Sequence, residues 1–151
     1  MKIRNVVVAA SLVSAVAVVT PVLAQAAPKS TTTTFKVDAT GHGVTHAMGI
    51  KTSAFAKGTI SINAKTDEVC YLITTSGLKD ITMAHIHKGA KGVDGGVVVY
   101  FNVAKFNPTT MSAPCVKVAP TVAKAILAHP ADYYFNVHTK AFPAGAVRAQ
   151  L

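Results

Sequence analysis

Apolar and polar positions alternate through most of this chain, in runs that are short and broken by turn residues. Phe35-Lys36-Val37-Asp38, Gly58-Thr59-Ile60-Ser61-Ile62-Asn63 and Val69-Cys70-Tyr71-Leu72-Ile73-Thr74 read as strands from their alternation or β-branched content. Turns separate them at Asn63 to Asp67 and at Ser76-Gly77. Further strands are expected at Thr82 to His87, Val97 to Phe101, Tyr133 to His138 and Ala146 to Gln150. Lys91-Gly92-Val93-Asp94-Gly95-Gly96 forms a glycine-rich turn between the fourth and fifth, in which Asp94 reads as a turn former rather than a ligand. One helical pattern interrupts the series: Pro120 at a helix start, Val122 and Ile126 four residues apart, and Pro130 as the stop. His129, at the end of that helix, suits the helix dipole better than a metal. Seven short strands with regular turns and one short crossover helix predict an all-β chain, an antiparallel Greek-key sandwich or barrel.

The first residues follow a different pattern. Lys2 and Arg4 precede an apolar run from Val6 to Val19, and Ala24-Gln25-Ala26 has the small-x-small form of a cleavage site. Residues 1–26 are therefore expected to be a signal peptide, with a mature start at Ala27. An uncleaved anchor is the alternative, but the run is short, Pro21 interrupts its end, and no basic stop-transfer cluster follows. The expected location is periplasmic or secreted, with no integral membrane segment after cleavage. Residues 27–34, with threonine at 31 to 34, read as a flexible lead-in, and 35–151 as a single domain.

Charge narrows the partners only slightly. Without Lys2 and Arg4, 13 of the 15 lysines and arginines remain against 6 acids, about +7. Such an excess favours an anionic envelope surface, but the lysines are scattered from Lys29 to Lys140 and also fit a solvated basic face. Export argues against nucleic acid. The two cysteines, Cys70 and Cys115, fit an oxidising compartment, and a disulfide between them is the economical reading against two buried thiols.

Candidate chemistry gathers on histidine. In an extended strand His85 and His87 share one face, their Cα atoms roughly 6.5 Å apart, while Ile86 faces the other way. Two imidazoles at that spacing can reach one metal ion, and His138 on a distant strand would supply a third, leaving a fourth position open. A histidine on a strand is also often a hydrogen-bonded, half-buried side chain with no metal. A second group, His42, His46 and Met48, lies in Gly41 to Gly49, where the glycines suggest a loop; it could extend the main site, form a separate weak copper site or do nothing. Arg148, on the last strand, must meet carbonyls or a carboxylate if it points inward, as a loop anchor or as a guide for anions beside a metal.

Several of these runs occur together in a known order. Ala84-His85-Ile86-His87-Lys88-Gly89, Gly95-Gly96-Val97-Val98, Tyr133 to Thr139 and Phe142 to Leu151 resemble the CHRD domain family, named after chordin. The resemblance runs from about Phe35 to the end and is most specific from Ser76. Where the family ends in Tyr-Pro-x-Gly-Glu-hydrophobic-Arg-Gly-Gln, this chain has Phe142, Ala146 and Ala149 in place of the Tyr, the Glu and the second Gly. The resemblance implies an immunoglobulin-like or superoxide-dismutase-like β fold and an exported protein, and it makes His138 a neighbour of His85 and His87.

No Ser-His-Asp order, paired carboxylates, phosphate loop or dinucleotide fingerprint is present, and acids are few. Three functions survive. One is a cell-envelope metal-binding protein, for copper with zinc as the competitor, in sequestration or transfer. Another is a metal-free adhesion or interaction module that binds another exported protein. The third is a copper-dependent redox enzyme: the His-x-His strand, the later His, the disulfide and Arg148 resemble Cu,Zn superoxide dismutases, although their histidine-rich, Asp-containing zinc loop is missing. On balance a binding protein is expected rather than an enzyme.

Overall fold

A computed structural model describes residues 31–44 and 53–151. The expected signal peptide and the candidates His46 and Met48 lie outside the described residues. The strands are β1 (Thr32–Thr40), β2 (Phe55–Asn63), β3 (Glu68–Ser76), β4 (Ile81–Lys88), β5 (Val97–Tyr100), β6 (Cys115–Lys117), β7 (Tyr133–Thr139) and β8 (Val147–Gln150), with one helix, α1 (Pro120–Ala128), before β7. They form one antiparallel sheet in the order β5-β4-β7-β8-β1-β2-β3-β6 that curls into a nearly closed barrel. Among the described residues the all-β expectation and the single α-helix hold. No helix among the described residues is long and apolar enough to cross a membrane.

Most strand bounds shift by one to three residues, as where β2 begins at Phe55 rather than Gly58, and two differences have a clear physical reason. The first strand begins at Thr32, not Phe35, so part of the threonine run expected to be flexible pairs with β2, as in Thr32↔Asn63 and Thr34↔Ser61. Threonine is β-branched and suits a strand, a preference that its repetition at a chain end obscured. The missed strand, β6, has only three residues, too few to show a period, and is defined by its pairing with β3.

Inward residues of every strand meet in one core. Val37, Ala39, Ala56, Ile60, Ile62, Val69, Ile73, Ile86, Phe135, Val137 and Val147 are buried there, and α1 adds Ala123 and Ile126. Pro120 takes the first turn of α1, where its missing N–H costs nothing, and the helix stops before Pro130. The segment after β5 crosses the open seam to β3: Phe101 and Phe106 pack on the Tyr71 ring at 4.6 and 6.0 Å between centroids. The Tyr71 hydroxyl accepts from Asn102 N and donates to Asn102 O, and Asn107 N donates to Ile73 O. On the far edge, Cys70 and Cys115 form a disulfide between directly paired residues of β3 and β6, with Cα atoms 3.9 Å apart.

Candidate metal centre

The period of two that sends Ala84, Ile86, Phe135 and Val137 into the core sends their neighbours to the outside of the barrel. There the register sets His85 opposite Asn136, His87 opposite Tyr134, Asn136 opposite Arg148 and Tyr134 opposite Gln150. This outer face is polar yet covered, with His85, His87, Asn136, His138 and Arg148 between 4% and 8% exposed. Two connections cover it, the glycine-rich loop 89–96 and the turn 140–146.

Arg148 holds the first cover in place. Its guanidinium donates to Asp94 Oδ1 (3.1 Å), to the carbonyls of Ala90 (2.9 Å) and Val93 (3.0 Å) and to Gln150 Oε1, and it lies 3.4 Å from the Tyr134 ring centroid. These bonds tie Arg148 to loop 89–96, as the loop-anchor alternative expects. Asp94, expected only to shape its turn, is the carboxylate that pairs with this buried charge. Gln150 Nε2 ties the strand to Gly89, Ala131 and Tyr133 through their carbonyls at 2.7–2.8 Å. A Cβ at position 95 would strike Lys88 O, so only glycine lets the loop pass this close. In the second cover Gly145 has φ +133°, and a Cβ there would stand 2.8 Å from Asn136 Nδ2.

Both covers also set the histidines. His87 Nδ1 is 2.9 Å from Gly95 O and His138 Nδ1 is 2.9 Å from Pro143 O. A carbonyl only accepts, so in each ring Nδ1 carries the proton and Nε2 presents a bare lone pair. His138 Nε2 lies 3.3 Å from His85 Nδ1, whereas His87 Nε2 is buried with no hydrogen-bond partner. His87 stacks on Tyr134 at 4.8 Å with 4° between planes, and His85 meets Tyr100 edge-on. One ligand atom from each of the three imidazoles falls within 4.8 Å of the others, all three side chains being buried.

The electrostatics favour the neutral form of His85 and His87. Burial, then the neighbouring His138 and His87, pulls His85 from 6.5 down to about 4. His87 is lowered too, by burial first, with the Gly95 carbonyl opposing. Of the other expected candidates, His42 is exposed in a short 3-10 turn and His129 is exposed at the end of α1, and neither joins the cluster. Tyr134, Asn136 and Gln150 lie in the runs that carry the CHRD resemblance, but an aromatic, an amide and a glutamine on strands have no chemical signature of their own to single them out. Their even spacing was the available signal, Asn136 two and Tyr134 four residues before His138 and Gln150 two after Arg148.

The chain belongs to the CHRD domain family, whose sequence model matches residues 19–151. CHRD domains are typically extracellular, and the internal disulfide fits that setting. No curated protein and no solved structure matches the chain.

Proposed function

We propose that this CHRD domain is exported after cleavage at Ala26 and binds one copper ion through His85, His87 and His138, for sequestration or transfer in the cell envelope. The observation that carries this reading is the buried, unpartnered His87 Nε2 beside two other imidazoles. A buried polar atom without a partner costs free energy that a metal ion would recover. The main-chain carbonyls on Nδ1 of His87 and His138 are the kind of outer partner that orients metal-binding histidines. Metal–nitrogen bonds of about 2.0 Å in a tetrahedron put nitrogens roughly 3.3 Å apart. The separation between His85 Nδ1 and His138 Nε2 is already 3.3 Å, so closure falls mainly to His87.

An all-imidazole set suits Cu(II) and Zn(II) and offers nothing to Mg or Ca, which need oxygens. At equal availability copper binds more tightly than zinc. Catalysis of the superoxide-dismutase kind draws no support from Arg148, whose donors are committed to loop 89–96.

Titration of the mature protein with Cu(II), followed by electron paramagnetic resonance, should show one nitrogen-coordinated ion per chain. His138→Ala should weaken binding well over tenfold and His129→Ala should leave it unchanged, since even outer-shell partners carry about 10–100-fold of metal affinity. Equal binding by His138→Ala would overturn the three-histidine site. N-terminal sequencing of secreted protein should begin at Ala27.

A further inference from the structure

Three imidazoles leave a tetrahedral ion one ligand short. Building on the three-histidine reading, we infer that the thioether of Met83 supplies the fourth ligand and makes the site selective for Cu(I) over Zn(II).

Met83 lies two residues before His85, on the same outer face of β4, and it is the direct register partner of His138 on β7. Directly opposed residues of an antiparallel pair have Cβ atoms about 5 Å apart, within reach of an unbranched thioether. A bulge creates this placement. The β4–β7 register slips between Ile81 and Met83. Continued without the slip from the pair Ile81↔Thr139, the ladder would set Met83 opposite Val137, on the core face. Bulges beside functional sites re-aim side chains in this way.

Access points to the same residue. The site is closed at His87 by Gly95 and Tyr134 and at His138 by Pro143. On the remaining side stand Tyr100, edge-on to His85 and 67% exposed, and Met83, 47% exposed. Of the two, only the thioether is a soft neutral ligand. Thioethers select Cu(I), whereas Zn(II) sites are built from thiolate, imidazole and carboxylate. The cluster has no thiolate or carboxylate among the described residues, since both cysteines are in the disulfide and Asp94 pairs with Arg148. A half-exposed thioether at the mouth can also leave first, which suits passing the ion to a second soft-ligand protein.

Met83→Leu keeps the volume and removes the sulfur. Mature disulfide-bonded protein of both forms is titrated with Cu(I) under ascorbate against a colorimetric Cu(I) chelator, and with Zn(II) in parallel. Because losing a direct ligand should exceed the roughly 10–100-fold effect of outer-shell partners, Met83→Leu should weaken Cu(I) binding at least about tenfold and Zn(II) binding less than about twofold. X-ray absorption of the Cu(I) protein should show a sulfur neighbour that the variant lacks. Copper binding that is lost in His138→Ala but equal in Met83→Leu overturns the fourth ligand and leaves the histidine site standing. A sulfur signal that persists in the variant also overturns it. If the unmodified protein takes up no copper, both readings fall.

Discussion

Along β2 burial alternates, with Ala56, Ile60 and Ile62 inside and Lys57 exposed, whereas all seven residues of β7 are buried. The first pattern is a sheet with one wet face, on which polar side chains keep their water. The second is a strand covered on both sides, with an apolar inner face and an outer face of Tyr134, Asn136 and His138. Polar groups without water must find partners, and the covered face is accordingly dense with hydrogen bonds. Its two exceptions, His87 Nε2 and Asn136 Oδ1, stand on the same side of the sheet as the histidine cluster. The contrast teaches that position in the barrel does not mark the site; burial without hydrophobicity does.

The two regions should come apart under mutation. Removing the disulfide with Cys70→Ala and Cys115→Ala should cost up to about 4 kcal/mol in urea denaturation, because the crosslink spans 45 residues. Metal affinity should stay within twofold, since the bond joins β3 to β6 while the three histidines stand on β4 and β7. A tenfold loss would show that the regions are coupled.

Arg148→Met should cost about 3 kcal/mol, since the Ala90 and Val93 carbonyls and Asp94 lose their shared donor. Amide exchange should accelerate across residues 89–96, and preserved protection there would contradict the anchoring role.

Acid should act on the covered face. With His85 at about 4 in the fold and 6.5 when unfolded, the unfolded chain takes up a proton first as pH falls. Metal-free protein should therefore be fully stable above about 6.5 and lose stability progressively toward about 4, and His87 acts in the same direction. Urea midpoints at intervals over that range should fall less steeply for His85→Asn than for the unmodified protein. Parallel slopes would mean that His85 is not held neutral.

The smallest effect belongs to the wet face. Lys57 and Asp38 pair at 3.3 Å with side chains 49% and 63% exposed. Lys57→Ala should change stability by no more than about 0.5 kcal/mol. A larger loss would blur the distinction between the two regions.

Most strands were legible because period-two alternation survives wherever one face is wet, as in β2 and β3. α1 was legible because Pro120 and Pro130 mark its ends chemically. The lead-in threonines and β6 were misread, the first because a repeated residue hides its own propensity and the second because three residues hold no period. Arg148 illustrates a different limit. A buried arginine demands acceptors, but whether those are loop carbonyls or a visiting anion depends on which loop folds over it.

By itself, then, the sequence determined that His85 and His87 share a face, since strand geometry alone requires it, and that the two cysteines have each other as the economical partners. Sequence order cannot carry the pairing of β4 with β7, 45 or more residues apart, and it is the resemblance to CHRD domains that implies His138 as a neighbour. Only the tertiary structure decided that this face is the outer one and yet buried, that Gly95 and Pro143 turn two Nε2 lone pairs toward a common point, and that a bulge brings Met83 alongside His138. Those outcomes depend on register and on loops closing over a sheet, and both are set by contacts between residues far apart in the chain.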